Sequence, residues 1–184
     1  MQGNAMNQTN QTEITRSTPM LIIGLVIAVI VCFSAGGIGA TATGSSVTGW
    51  YMDLNKPSWN PPGWVFGPVW SVLYIMMAVS VWLVWKDSKG TQPSSSVISS
   101  VGFAIGWFLF HLLLNMLWSI IFFGLKQPGW ALIEIVVLWV SIVVTIVLFR
   151  RHSTLAAGLL FPYLMWVSFA SFLNFTIWSM NRAV

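Results

Sequence analysis

Three groups of side chains in this sequence have the types and the spacing to do chemistry together. Trp107, His111, Asn115, Trp118 and Phe122 succeed one another at intervals of four, four, three and four, which on a helix gathers two indoles, an imidazole, an amide and a phenyl ring on one face. Tyr163, Trp166, Ala170 and Asn174 repeat the pattern, and Trp70 and Tyr74 stand one helical turn apart just after Pro68. Indole and phenol rings offer broad apolar faces with one polar edge, so faces of this kind stack on flat apolar molecules. Asn115 or His111 would then address polar substituents of such a guest.

Other chemistries lack their parts. The sequence holds no Ser/His/Asp or Cys/His set, no phosphate-binding loop and no paired carboxylates, so hydrolytic or group-transfer catalysis is not expected. Glu134 is the one acid inside an apolar run, and with His111 it is all that a proton path would have to work with, where such paths need several facing ionisable groups. Each also has a structural reading, His111 as a satisfied core histidine and Glu134 as a carboxylate reaching the interface near its helix end. Gly37-Ile38-Gly39-Ala40-Thr41-Ala42 matches the dinucleotide fingerprint only as a string, since no strand precedes it. Cys32 is the single cysteine, which excludes an internal disulfide and offers no metal-ligand spacing. Neither cofactor nor metal is expected.

The elements that must hold these faces are membrane helices. Of 184 residues, 57% are hydrophobic and 7% charged, and the mean hydropathy is +0.80, outside soluble usage. Lys and Arg exceed Asp and Glu by 8 to 4, but the cations are scattered singly or in pairs at the ends of apolar runs, which argues against nucleic acid. Residues 1–19 form a polar Asn-, Gln- and Thr-rich tail, expected to be disordered. A five-helix transmembrane domain, 20–184, comes next, with spans at about 20–40, 63–85, 97–123, 129–149 and 155–178, each long enough for the hydrocarbon layer. The fold class expected is an all-α integral membrane protein, a five-transmembrane-helix bundle. Arg16, Lys86, Lys89, Arg150 and Arg151 fall on the N-terminal side against Lys56, Lys126 and Arg182 opposite, which puts the N-terminus in the cytoplasm and the long first loop outside.

The 12 tryptophans divide by position. Trp82 and Trp85 on one side, and Trp50, Trp59, Trp64, Trp130 and Trp178 on the other, suit interfacial belts. Trp70, Trp107, Trp118, Trp139 and Trp166 fall inside the spans and need packing partners or a ligand. Asn115, Asn174 and Glu134 all lie in the half nearer the first loop, and polar groups at that depth must be satisfied inside the protein. These positions imply a pocket opening under that loop. The loop itself, from Trp50 and Tyr51 through Lys56, Pro57, Trp59, Pro61 and Pro62, is stiffened by prolines and rich in aromatics, which suits a structured lid.

That loop, together with Phe66-Gly67-Pro68-Val69-Trp70 and Leu73-Tyr74, resembles the signature of the TspO/MBR family, the translocator or tryptophan-rich sensory proteins. Asn115-Met116-Leu117-Trp118-Ser119, Phe122-Phe123-Gly124, Pro162-Tyr163-Leu164-Met165-Trp166 and Ala170 to Asn174 resemble the family's third and fifth helices, so the likeness runs from about Gly36 to Asn181. It implies a multi-pass membrane protein, with a bacterial cell membrane favoured, commonly a homodimer, whose pocket beneath the first loop binds porphyrins, other flat hydrophobic ligands and in some members sterols. By motif, Tyr51, Pro61, Trp70, Asn115, Trp118, Trp166 and Ala170 would line it. Trp70 and Trp166 match the indoles implicated in light-dependent porphyrin breakdown, the catalytic role if there is one. Phe175 and Ser179 stand where the family's sterol motif has a tyrosine and then a basic residue, so the resemblance does not carry sterol binding to this chain. Three functions are thereby expected: tetrapyrrole binding or sensing first, a porphyrin-degrading enzyme and a tetrapyrrole or sterol transporter as alternatives.

Overall fold

In the computed structural model, residues 16–87 and 95–182 are described. The tail up to residue 15, Lys89 and most of the second connection lie outside the described residues. Those that are described contain α-helices and no strand, and five stretches are long and apolar enough to cross a membrane. The chain is an all-α integral membrane protein.

The first helix, α1, is Thr18–Val47, reaching further at both ends than the expected 20–40. Pro19 sits in its first turn, where the missing N–H has no helical partner to lose, and the Gly- and Ala-rich stretch beyond Phe33 stays helical because neighbouring helices pack on it. A single turn, α2 (Trp50–Asp53), opens the first loop. The rest of that loop holds Pro57, Pro61 and Pro62, which keep it out of helix, and it turns once, Asn60 N–H donating to Pro57 O at 3.0 Å, before α3, Gly63–Asp87, begins.

The third span is α4, Ser95–Ser119, whose last turn widens into a π-helical segment, Ile120–Gly124. Leu125 N–H reaches Ile120 O at 2.8 Å, and the hydroxyl of Ser46 on α1 donates to Phe123 O at 2.7 Å. Lys126 then turns the chain in the left-handed region, φ 56°. The fourth span is α5, Pro128–Arg150. The fifth span is Thr154–Met180, as expected in extent, but one break divides it into α6, Thr154–Leu159, and α7, Phe161–Met180. Pro162 cannot donate to Gly158, so the helix breaks at Leu160.

Around the bundle the order is α3, α1, α4, α5, α7, with α6 filling the space between α3 and α5. Close approach of α1 to α3 depends on glycine: a Cβ on Gly36 would run into the Tyr74 ring, and one on Gly24 would come within 2.5 Å of Trp85. The outward faces stay apolar. Ile22, Ile23, Val26, Ile27 and Ile30 on α1 are all at least half exposed, as a lipid-facing surface requires.

Without a hydrophobic drive between helices in lipid, polar ties carry part of the association. Ser80 Oγ donates to Ala156 O at 2.7 Å, Trp82 Nε1 to Leu21 O at 3.0 Å and Trp107 Nε1 to Ser141 O at 3.1 Å. At the membrane edges, the Arg16 guanidinium lies 3.4 Å from the centre of the Trp85 ring and Arg182 3.9 Å from that of Trp178, cation–π contacts suited to the headgroup level.

Candidate functional site

A cavity of about 590 Å³ opens beneath the first loop, enclosed by the later half of α1, the start of α3, the π-helical end of α4 and α7 from Trp166 to Ile177. None of the side chains lining it is charged. Its walls are set by the helices that carry them.

On the α3 side, Trp70 stacks on Tyr74 with ring centres 5.5 Å apart and planes 27° apart, and meets Tyr163 edge-on at 6.2 Å. Phe66, a turn earlier, meets Trp166 of α7 edge-on at 5.9 Å. The π-helical segment inserts an additional residue into the helix, which turns both Phe122 and Phe123 toward Tyr51 and Trp118. Trp118 stacks on Phe122 at 5.2 Å, and Tyr51 contacts Phe122 at 6.3 Å and Phe123 at 5.6 Å. The α1 wall is mostly small, with Gly36, Gly37, Gly39, Ala40 and Gly44 leaving the space that the rings face. Its polar groups are turned onto their own backbone: Thr43 Oγ1 donates to Gly39 O at 2.8 Å, and on α3 Ser71 Oγ donates to Gly67 O at 2.9 Å.

The loop over the cavity is tied down at several points. Tyr51 OH donates to Asn60 Oδ1 at 2.9 Å. Lys56 Nζ donates to the carbonyls of Tyr51, Met52 and Leu54 at 2.7, 3.0 and 3.0 Å. Asn181, at the end of α7, pairs reciprocally with the backbone of Asn55, accepting from its N–H and donating to its carbonyl, each at 3.0 Å. Trp59 stacks on Phe172 at 5.3 Å. Burial pushes the Tyr51 phenol above its ordinary range, and the bond to Asn60 offsets part of that.

The structure brings Tyr51, Trp70, Trp118, Trp166 and Ala170 to the cavity wall, with Asn174 and Tyr74 beside them. It does not bring Pro61, Asn115 or His111 there. Pro61 shapes the loop and accepts from Asn60 Nδ2 at 3.1 Å. Asn115 lies one layer behind, accepting from Tyr74 OH at 2.8 Å. His111 is fully buried, its Nδ1 3.1 Å from Thr145 Oγ1. The helical spacing holds, but Trp107 and His111 bond to α5 and Asn115 to Tyr74 of α3, away from the cavity wall.

Two other expectations change. Trp139 is no interior indole: it is 38% exposed and donates to Ser168 Oγ at 2.8 Å on the outer surface. Glu134 does not reach the interface but is 8% exposed, with neither carboxyl oxygen bonded among the described residues. Sequence reasoning missed Phe66, Phe169, Phe123 and the glycine wall of α1 as cavity residues. Phe66, Phe123 and the glycines stood inside quoted motifs or small-residue runs, whereas Phe169 had no signal to separate it from the lipid-facing phenylalanines.

Five apolar helices, closed at one end by a tied loop over an uncharged aromatic chamber, define a multi-pass integral membrane protein. The chain belongs to the TspO/MBR family, whose family model matches residues 28–179. It is 42% identical over 164 residues to a protein named tryptophan-rich protein TspO from Chlorobaculum tepidum, covering 87% of this chain and 97% of that one. A protein of the same name from Archaeoglobus fulgidus is 38% identical over 162 residues, covering 88% and 99%. The human translocator protein is 42% identical over 133 residues, covering 72% of this chain and 75% of its own.

Proposed function

We propose that this chain binds or senses porphyrins and related flat hydrophobic molecules in the cavity beneath Tyr51. One observation carries the reading: about 590 Å³ of uncharged space lined by Trp70, Trp118, Trp166 and Phe122, with no group of three or more metal-binding side chains among the described residues. A guest that arrives from lipid gains little by leaving hydrocarbon. Selection then rests on shape and on ring contacts, each contributing about 0.5–1.5 kcal/mol beyond area burial. Protoporphyrin should quench the intrinsic fluorescence saturably in the dark, with weaker binding in Trp70→Phe. A linear, non-saturating titration would refute the proposal.

A second reading, light-dependent porphyrin breakdown, is favoured by Trp70 and Trp166, which bring two indoles to one cavity. Under illumination, wild-type protein should then bleach bound porphyrin faster than the double variant Trp70→Phe, Trp166→Phe. Equal rates would leave binding alone. The homodimer expected from the family finds support in Gly102 and Gly106, one turn apart on the outward face of α4 with open space beside each, where a second helix would approach closely.

A further inference from the structure

The chain's three tyrosines differ in how their hydroxyls are bonded. Tyr51 and Tyr74 both donate to amide oxygens, Asn60 Oδ1 and Asn115 Oδ1. An amide oxygen is too weak a base to take a phenolic proton. Tyr163 differs: it is 0% exposed, and its hydroxyl has no partner within hydrogen-bonding distance among the described residues. The Asn115 amide, which accepts from Tyr74, is the polar group that approaches it, and like the partners of the other two tyrosines it is no base for a phenolic proton. The Tyr163 ring lies between Trp70, edge-on at 6.2 Å, and His111, with centres 5.8 Å apart.

The hydrogen bonds around His111 define its state. Thr145 Oγ1 donates to Ser141 O at 2.8 Å, which commits its only hydrogen. Toward His111 Nδ1, 3.1 Å away, that oxygen must therefore accept. His111 thus carries its proton on Nδ1 and presents a bare lone pair at Nε2, which has no partner among the described residues although the residue is 0% exposed. Next to the Trp70 indole, a buried imidazole with a bare nitrogen and a buried phenol thus lie with ring centres 5.8 Å apart.

We propose that Tyr163 is a redox relay between the cavity and His111. A one-electron oxidant seated against Trp70 removes an electron from the indole and leaves Trp70 as a radical cation. Tyr163 then gives one electron to Trp70, restoring the indole, while its O–H bond breaks and the proton passes to His111 Nε2 through one bridging water, since the two atoms are not in direct hydrogen-bonding contact. The products are the reduced oxidant, neutral Trp70, a neutral Tyr163 phenoxyl radical and a protonated His111. Tyr74 stacks on the same indole at 5.5 Å but has no base to receive its proton, so the hole settles on Tyr163. The oxidant in this step is a photoexcited planar π-ligand, and only that choice rests on the function proposed above.

Ligand-free protein tests the relay without that choice. Ultraviolet photoionisation of tryptophan in the purified full chain should give tryptophanyl radicals that convert to a tyrosyl radical, tracked by transient absorption and by paramagnetic resonance of frozen samples. Tyr163→Phe should lose the tyrosyl signal while the tryptophanyl signal persists, and Tyr51→Phe should keep both. His111→Gln, which preserves a polar side chain of similar length, should also lose the tyrosyl signal, whereas Glu134→Gln should keep it. A tyrosyl signal undiminished in Tyr163→Phe overturns the assignment of the tyrosine, and one undiminished in His111→Gln overturns that of the base. Dark protoporphyrin titration of the same preparations separates this from the binding proposal: radical transfer with no saturable binding sinks that reading and leaves the relay standing.

Discussion

Trp118 and Asn174 meet beneath the first loop, the indole N–H donating to Asn174 Oδ1 at 3.1 Å while the same amide donates to Pro128 O at 2.8 Å. One buried asparagine thereby fixes the plane of a cavity indole and joins α4, α5 and α7. Asn174→Leu should leave two polar groups unpaired and lower stability by about 1–3 kcal/mol. Thermal unfolding in detergent reads this, and an unchanged midpoint would show that the pair is incidental.

Gly36 and Gly37 separate packing from space. A Cβ on Gly36 collides with the Tyr74 ring, whereas nothing lies within 4 Å of the position a Cβ on Gly37 would take. Gly36→Ala is expected to cost about 1–3 kcal/mol as an overpacked site and to displace Tyr74 from Asn115. Gly37→Ala should be silent in the same unfolding assay. Equal effects would contradict the close approach of α1 and α3.

The pairing of Asn181 with Asn55 holds the loop to the end of α7. Asn181→Ala takes away three side-chain hydrogen bonds, two of them to the loop and one to Ile177 O within α7, each worth about 1 kcal/mol, and the loop should feel the loss of its two ties most. Limited proteolysis between Asp53 and Asn60 and the dissociation rate of bound protoporphyrin should both rise several-fold, consistent with that loss. If neither changes, the loop does not gate the cavity.

Alkaline pH should act through Tyr51. Its folded phenol is raised above the ordinary value of 10.0 by burial, so the unfolded loop ionises first. The stabilisation is complete below that ordinary value and is lost as pH rises from there through the folded one. Proteolysis of the loop should accelerate over that window in wild type, and Tyr51→Phe should remove the Tyr51-dependent part of the rise. A profile identical in the variant would place the alkaline sensitivity elsewhere.

Much of the fold is legible in residue types. Long apolar runs and scattered charges disclose membrane helices because lipid tolerates few alternatives, and the period of the aromatic residues places Trp70, Trp118 and Trp166 on helical faces. Periodicity does not say which neighbour a face meets. His111 and Asn115 share the stripe with Trp118 but sit away from the cavity wall. The π-helical turn at Ile120–Gly124 then rotates the residues at that end of α4, and no residue type announces it. In a water-soluble protein the exposed Trp139 would break the apolar pattern, but in a membrane inside and outside are equally apolar. The break at Leu160 is foreshadowed by Pro162, which the expected single span passes over.

Trp70 and Trp139 provide the most direct test of the cavity as the binding site, since both are span tryptophans and only Trp70 lines it. In dark equilibrium titrations with protoporphyrin, Trp70→Phe should weaken binding while Trp139→Phe leaves the affinity at the wild-type value. Equal affinity in both variants, or a larger loss in Trp139→Phe, would contradict the account.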